Sequence, residues 1–260
     1  MIIVNKNMEH QSIADYFTSR RTIRAYDPDR QVDPELIDRL IRSAAQAPNT
    51  GNMQIYSVIV TTDPREIEAL APAHFSQPAI MSAKAVLTFC LDLRRYHRWC
   101  VLGGSEQGLN NLQGYSWGVM DTSIFAQQFV TLAELEGLGT CYLGTTTYNA
   151  PMIADTLRLP EGVVPLITVT TGYPAENPAV SERLPLNAIL HHGFYHDPSD
   201  KELKDFYSEK ESMDTYRKFV SENGKENLAQ LYAEVRYPRA SNEHFSAVLK
   251  EFLKNQGIEV

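Results

Sequence analysis

The N-terminal half of the chain alternates between helical and strand-like spacing of its apolar residues. Asp33-Pro34 is a typical helix start, with the aspartate as N-cap and the proline at the first helical position. Apolar residues then recur on one helical face until Pro48, where we expect the helix to end. Runs of β-branched residues predict strands over 55–61 and 85–91, with a short helix between them.

The middle of the chain combines a stretch of weak pattern with a long apolar helix. Residues 94–118 are rich in Gly, Asn and Gln with scattered aromatic residues, which predicts a long surface excursion of the kind that often serves function. Asp121 is the predicted N-cap of a helix that is apolar almost all round, so this helix should lie at the centre of the fold. Gly137 and Gly139 are predicted to end it.

The C-terminal half contains further strands and then a helical tail. Strands are predicted over 140–143 and 164–171, with a short helix from Pro151 between them. After Phe194 the sequence becomes charged, rich in Lys and Glu, and helical. Helices therefore interleave with strands at uneven spacing, which predicts an α/β or α+β protein without a regular βαβ repeat.

Composition narrows the function classes more than the fold. The 260 residues are 43% hydrophobic and 22% charged, which are ordinary globular values and exclude a disordered chain. A net charge of −8 argues against a nucleic-acid partner, because such a protein needs a basic face. No segment contains the ~18 uncharged apolar residues of a membrane span, so we expect no membrane partner.

Cysteine usage and the absence of common motifs limit the chemistry further. Cys90, Cys100 and Cys141 form no CxxC pair, and the first residues resemble no secretory signal, so we expect a cytoplasmic protein with free thiols. There is no HExxH, GxSxG or Walker-type glycine loop. His191-His192 has no matching carboxylate or cysteine pair nearby, so no metal site is predicted.

Five short motifs occur in a fixed order over roughly residues 12–196. They are SRRTIR (19–24), APNTGNMQ (47–54), GLGTCYLG (137–144), a segment from 159 to 169 followed by GYPA (172–175), and ERLP (182–185). This ordered set resembles the nitroreductase and FMN-dependent flavin reductase family. The length and the helical tail are most like the larger, NADPH-preferring branch of that family.

The resemblance implies both a fold and an assembly. The expected fold is α+β, a mixed α/β sandwich with a central mixed sheet flanked by helices, in an intertwined homodimer. Two FMN sites would each be built from both subunits. The expected domains are an FMN-binding domain over residues 1–196 and a helical C-terminal extension over 197–260, which packs on the body or on the partner subunit.

The resemblance also assigns cofactor-binding residues. They are Arg20, Arg21, Thr22, Arg24, Asn49, Thr50, Gly51, Asn52, Gln54, Gln77, Tyr142, Gly144, Thr145 and Arg183. Arg20 and Arg183 would contact the phosphate, for which arginine has the best fork geometry. Arg24 would face the flavin N1/O2 edge, where negative charge develops on reduction. Residues 49–54 would contact the flavin held mainly by the other subunit.

The implied activity is hydride transfer from NAD(P)H through flavin N5 to nitroaromatics, quinones or free flavins, with ping-pong kinetics. The cofactor performs this chemistry, so no catalytic acid, base or nucleophile side chain is predicted. Two alternatives remain open. One is a specialised flavoenzyme of the same fold, dehalogenating or flavin-destroying. The other is a non-enzymatic flavin-binding regulator that uses the charged tail to dock a partner.

The chain departs from the family pattern at three places. Ser181 stands where members of this branch often place a second cation, and Arg20 replaces a histidine of some members. The stretch 94–118 also differs, and it is expected to line the substrate entrance. Arg217 is a candidate contact for the 2′-phosphate of NADPH. Tyr115 and Trp117 lie within the unusual stretch and either stack on substrate or pack in the core.

Overall fold

The computed structural model describes residues 13–260, which form two compact units. The first unit comprises the described part of Met1–Ala179 together with Phe245–Val260, and the second is Val180–His244. The first residues, from which we expect no secretory signal, lie outside the described part. The domain boundary between residues 196 and 197 stays a prediction.

The described residues form helices and four strands. The helices are α1 (Ile13–Ser19), α2 (Pro34–Ala44), α3 (Pro64–Leu70), α4 (Pro78–Met81), α5 (Leu93–Leu102), α6 (Leu112–Leu135), α7 (Ala150–Thr156), α8 (Asp200–Ser212), α9 (Asp214–Glu222), α10 (Leu228–Gln230) and α11 (Arg239–Asn255). The strands are β1 (Tyr56–Thr61), β2 (Ala85–Asp92), β3 (Gly139–Leu143) and β4 (Val163–Gly172). Short 3-10 turns cover Thr50–Asn52, Ala71–His74 and Leu186–Ala188, and a π-helical turn covers Leu231–Arg236.

The four strands form one sheet in the order β1-β2-β4-β3. Every pairing between these strands is antiparallel, and a parallel bridge joins Asn111 to Glu259 outside them. The central strand β2 is buried along its whole length, because both of its faces are covered. Helices packed on an antiparallel sheet confirm the predicted α+β class.

Helix α6 forms the centre of the first unit. It packs against α2 and against all four strands. Phe125 and Phe129 point from it into the main apolar cluster, where the Phe125 ring stacks on Tyr56 at 4.6 Å and meets Phe89 edge-on at 5.2 Å. Such aromatic pairs stabilise a core beyond the area that they bury. The prediction of a central, nearly all-apolar helix is confirmed.

Elements with a local sequence pattern agree with the prediction. The Asp33 side chain accepts the Glu35 N–H at 2.9 Å, and Pro34 is the first residue of α2. The strands predicted over 55–61 and 85–91 correspond to β1 and β2. Gly137 has a φ of 85°, a conformation that glycine adopts without strain, and it follows the C-cap residue Glu136 of α6.

The stretch over 94–118 lies at the surface as far as residue 113, as predicted, but the prediction that it is a loop is wrong. Most of this stretch is helical, since it contains α5 and the first two turns of α6. Asn111 caps α6 by accepting the Gly114 N–H at 3.0 Å. Gly114 and Gly118 are buried within α6, where a Cβ on Gly118 would collide with Leu91. These glycines weaken the helical pattern in the sequence because packing, and not a loop, requires them.

The predicted helix start at Asp121 and helix end at Gly139 are also wrong, because packing and not local sequence determines both residues. Asp121 is not an N-cap, because it lies in the middle of α6 with only 2% of its surface exposed. Gly139 does not end the helix, because it is the first residue of β3, where a Cβ would lie 2.7 Å from the Ile23 side chain. Both residues are placed by a tertiary contact.

Several smaller expectations also have an outcome. Tyr115 and Trp117 are half-buried and pack against a second apolar cluster, which favours their core role. The three cysteines are free thiols, and Cys141 is buried in β3. Between residues 13 and 260, no helix combines the length and the apolar character needed to cross a membrane.

Gly114→Ala should destabilise the protein. A Cβ would lie 2.7 Å from the carbonyl carbon and 2.8 Å from the Cα of Leu109, and main-chain atoms cannot rotate away. Overpacking should lower the free energy of unfolding by about 1–3 kcal/mol, despite the higher helix propensity of alanine. Urea denaturation measures the change. The control is Gly108→Ala, whose Cβ would meet no atom within 4 Å. Equal stability of the two variants would contradict the packing argument.

Candidate functional site

The predicted arginine strip, residues 20–24, runs beside strand β3. The Ile23 N–H donates to the Thr140 carbonyl at 3.0 Å, which attaches the strip to the first part of that strand. Further along the strip, the N–H groups of Arg24 and Ala25 both donate to the Glu176 carboxylate. The main chain of the strip is therefore fixed by the sheet and by the loop that follows β4.

Arg20 is held by a carboxylate near the end of α6. Its Nε donates to Glu134 Oε2 at 3.1 Å and its Nη2 donates to Glu134 Oε1 at 3.0 Å. The same carboxylate accepts from the Tyr16 hydroxyl at 2.7 Å and from the Thr140 hydroxyl. The Glu134 side chain is 9% exposed, so this network is well shielded. A two-point bond of this kind fixes the plane of the guanidinium group and does not use its Nη1.

The other residues of the strip form no ion pair like that of Arg20 among the described residues. The Arg21 Nη1 donates to Asn177 Oδ1 at 2.7 Å and to the Pro178 carbonyl at 3.0 Å. Arg24 is exposed, and Thr22 is half-buried. Burial raises the pKa of the Cys141 thiol, while the neighbouring guanidinium group of Arg24 acts in the opposite direction. Cys141 therefore stays protonated, as expected for a packing residue.

The predicted loop over 49–54 adopts a conformation that most residues avoid. Gly51, Asn52 and Gln54 have φ angles of 56°, 54° and 52°, in the left-handed region. Non-glycine residues in this region are strained, and such strain is concentrated at functional sites. The Gln54 N–H donates to Asn49 Oδ1 at 3.3 Å, which closes the loop on itself.

Two side chains outside the loop hold it in this shape. The buried Asp121 accepts the Thr50 N–H at 3.0 Å and the Thr50 hydroxyl at 2.9 Å. Arg95 on α5 donates through Nη2 to the carbonyls of Gln54 at 2.6 Å and Tyr56 at 2.9 Å. Both ends of the loop are thus anchored to helices.

Helix α6 therefore anchors two predicted cofactor segments at separate points. Glu134 holds the arginine strip, and Asp121 holds the loop over 49–54. The two carboxylates are 13 residues apart on one continuous helix, which corresponds to about 20 Å along its axis. One chain thus places the two anchor points far apart.

Two more predicted cofactor segments, the turn before Gln77 and the residues after β3, meet at the C-terminal end of that strand. The His74 Nδ1 lies 2.9 Å from the Thr145 hydroxyl oxygen, and Gln77 follows three residues after this histidine. Phe75 and Ser76 between them have φ angles of 55° and 47°, so this turn is also strained. A Cβ on Gly144 would meet no atom within 4 Å, so the main chain there faces open space.

Tyr142 lies in β3 between the arginine strip and Thr145. Its hydroxyl donates to Gln127 Oε1 on α6 at 3.3 Å. Burial raises the pKa of this phenol above its usual range, while the positive charge of Arg20 acts in the opposite direction. The side chain is therefore neutral and available as a hydrogen-bonding group.

Arg183 lies in the second unit and lines a cavity of about 200 Å³. Its Nη1 donates to the carbonyls of Ser181 and Glu182, while the side chain remains exposed. Glu182 is fixed by Lys210 Nζ at 3.2 Å and by the Tyr216 hydroxyl at 2.7 Å. The hydrogen bond from Tyr216 is the main cause of the lowered pKa of Glu182.

Arg217, the candidate contact for a 2′-phosphate, lies on α9. Its Nη1 is 4.0 Å from Asp214 Oδ1, and both side chains are largely exposed. An ion pair of this kind contributes little and leaves the guanidinium group free to turn. Among the described residues, no cluster of three His, Cys, Asp or Glu side chains could hold a metal ion.

Sequence reasoning missed four residues that build this site, namely Glu134, Asp121, Arg95 and His74. Glu134 looks like an ordinary solvated glutamate near a helix end, and its partner Arg20 is 114 residues away. The sequence pattern places Arg95 in the surface excursion and Asp121 at a helix cap. A charged residue on an otherwise apolar helix was the one available indication, and it fits both Asp121 and Glu134.

Comparisons with known proteins show which family the chain belongs to. The chain matches the model of the Nitroreductase family over residues 17–173. A Cr(VI) reductase from Pseudomonas sp. (strain G-1) is 30% identical over 250 residues, covering 94% of this chain and 98% of that protein. An FMN reductase (NADPH) from Bacillus subtilis (strain 168) is 30% identical over 210 residues, covering 80% and 81% of the two proteins.

A solved structure gives the same result for the fold. A protein described as an oxidoreductase from Bacteroides fragilis NCTC 9343 superposes with a TM-score of 0.92 at 45% identity, covering 95% of this chain and 100% of that chain. The fold, the matched residues and the relatives define one class. The chain belongs to the nitroreductase family, and the resemblance found in the sequence is confirmed.

Glu134→Gln should destabilise the protein strongly. Whichever oxygen the amide nitrogen replaces, it would face an N–H of Arg20 and the hydroxyl of either Tyr16 or Thr140, and Arg20 would lose its charged partner. We expect the free energy of unfolding to fall by about 2–3 kcal/mol, somewhat less than for a fully buried pair. Urea denaturation measures this change.

The matched control is Glu136→Gln, which lies two residues further along the chain. Glu136 pairs with the exposed Arg39 at 3.4 Å. Removing an exposed pair should change stability by at most about 0.5 kcal/mol. If both variants unfold at the same urea concentration, Glu134 does not have the anchoring role described here.

Proposed function

We propose that this protein is an FMN-dependent oxidoreductase that takes a hydride from NAD(P)H and passes it to nitroaromatics, quinones or free flavins. The observation that carries the proposal is the arginine strip fixed beside β3 in a member of the nitroreductase family. A relative named FMN reductase (NADPH) supports FMN as cofactor and NADPH as donor. We propose a cytoplasmic location from the cysteine usage.

The residues of the first unit suit FMN by their chemistry. Arg21 offers a cationic donor for a phosphate, and Arg20 has one nitrogen that its glutamate does not use. Thr22 and Thr145 offer hydroxyl groups to the ribityl chain. The open space at Gly144 allows a flat ring to approach the main chain.

We propose that the loop over 49–54 completes the site of a second copy of the chain. Its anchor Asp121 and the anchor Glu134 of the arginine strip are about 20 Å apart along α6. That separation supports a homodimer in which Asn49, Thr50, Gly51, Asn52 and Gln54 contact the flavin held mainly by the partner. The extension over 197–260 would then pack on the body or on that partner.

FMN, when bound, supplies the hydride chemistry at its N5 atom. The chain contributes binding and electrostatics. Arg24 would provide a fixed positive charge at the N1/O2 edge, which favours the reduced state. Arg183 would hold the phosphate, and Gln77 and Tyr142 would contact the ring by hydrogen bonds. A bound cofactor used by donor and acceptor in turn leads us to expect ping-pong kinetics.

Purified protein should bind FMN and oxidise NADPH when a nitroaromatic or quinone is present, with parallel double-reciprocal plots. Flavin absorbance and NADPH consumption measure the two steps. FMN that binds but is not reduced by NAD(P)H would favour a flavin-binding regulator, and destruction of the bound FMN would favour a specialised flavoenzyme. A protein that takes up no FMN would refute the proposal. Chromate, suggested by the Cr(VI) reductase relative, is a further acceptor to include.

Arg183→Ala should weaken FMN binding while leaving riboflavin binding unchanged, because riboflavin has no phosphate. Loss of one charge-assisted hydrogen bond is worth about 1.5–3 kcal/mol, or about 10- to 150-fold in affinity. Arg183 is suited to this test because, within residues 13–260, its side chain donates only to carbonyls of its own segment.

Quenching of flavin fluorescence measures both affinities for the Arg183 variant. The matched control is Arg65→Ala, which removes an exposed arginine of α3 and should affect neither ligand. An equal loss for FMN and riboflavin would show that Arg183 acts elsewhere than at the phosphate.

A further inference from the structure

His74 is a buried polar residue without an evident structural purpose. It ends the 3-10 turn Ala71–His74 and is 0% exposed. Among the described residues its Nε2 has no hydrogen-bond partner. Burial lowers the pKa of the imidazole to about 4, so the ring is neutral at physiological pH. A buried polar atom without a partner costs stability, and a leucine at this position would avoid that cost.

The hydrogen bonds of His74 connect two segments that the family resemblance assigns to the cofactor. Its Nδ1 lies 2.9 Å from the Thr145 hydroxyl oxygen. Its carbonyl accepts the Gln77 N–H at 3.3 Å. One residue thus bonds to the side chain of Thr145 and to the main chain of Gln77.

The surrounding turns are locked together in the same place. Asn149 Nδ2 donates to the Ala73 carbonyl at 2.7 Å, and the Tyr148 N–H donates to the Thr145 carbonyl at 3.1 Å. The imidazole is therefore held relative to the turn after β3. It can fix the rotamer and hydroxyl direction of Thr145, which the main chain alone does not determine.

We propose that His74 is a positioning residue whose imidazole orients the Thr145 hydroxyl, beside the Gln77 turn, toward a single flavin. The inference rests on the proposed function. It gives the buried imidazole a use, the Nδ1 contact with the Thr145 hydroxyl, that a leucine could not supply. Phe75 and Ser76, with left-handed φ angles, form the sharp turn that returns the Gln77 N–H to the His74 carbonyl and so keeps Gln77 close to the imidazole in sequence and in the turn.

A double-mutant cycle tests this coupling through the Kd for FMN, measured by fluorescence quenching. His74→Leu and Thr145→Val should each weaken binding by about tenfold, the loss of about one hydrogen bond. The double variant should bind no more weakly than either single variant, because both remove the same interaction. Independent, multiplied effects would overturn the proposal.

His74→Asn is the conservative variant. Its amide can take the position of Nδ1 and hydrogen-bond to Thr145, so it should restore most of the FMN affinity and the flavin absorption spectrum. A purely structural role predicts instead that His74→Asn is the worst variant, because it buries a second polar group. That result would contradict the proposal. Thermal unfolding of each apo protein provides the structural readout.

Failure of this inference can be distinguished from failure of the proposed function. If the parent protein takes up no FMN, the proposed function is wrong. If the parent binds FMN and His74→Leu binds it equally well, only the role of His74 is wrong. Should His74→Leu not fold, Thr145→Val and Thr145→Ser still test the contact. The valine variant must lose FMN affinity and the serine variant must keep it.

Discussion

Two carboxylates on the central helix, Glu134 and Asp121, organise the segments around which the candidate site is built. Each is almost withdrawn from solvent, so each must find donors among the groups packed against α6. Glu134 takes them from Arg20, Tyr16 and Thr140, and Asp121 takes them from the main chain and hydroxyl of Thr50. A buried charge is costly without partners, and this cost is what forces the two segments into defined positions.

Local and tertiary contributions explain which elements could be predicted from the sequence. The start of α2 depends on Asp33 and Pro34 alone, and β2 is a continuous apolar run, so both follow from neighbouring residues. The glycine at position 114 is required for a tertiary reason, because a side chain there would collide with the main chain of Leu109. A glycine that permits close packing and a glycine that ends a helix look the same in one sequence. The start of α6 was therefore missed.

The same distinction applies to the site. The arginine strip and the loop over 49–54 could be recognised because their residues are contiguous and resemble a family pattern. The side chains that hold these segments could not be recognised in the same way. Glu134 and Arg20 are 114 residues apart, and a lone glutamate near a helix end is ordinarily solvated. His74 gave no indication either, since its role depends on Thr145, which is 71 residues away. Sequence reasoning thus assigned to the cofactor residues that are contiguous in the chain, and it missed the distant side chains that hold those segments.

The net negative charge of the chain bears on how these arginines could recognise a phosphate. With a net charge of −8, the protein as a whole repels anions such as a flavin phosphate. The strip is also partly neutralised, because Glu134 pairs with Arg20 and the Glu176 carboxylate lies against the main chain of Arg24. Selection of a phosphate must then come from donors fixed in direction, and not from a broad positive field. An arginine held by two bonds to a buried carboxylate has the fixed direction that this kind of recognition needs, because little conformational entropy remains to be lost on binding.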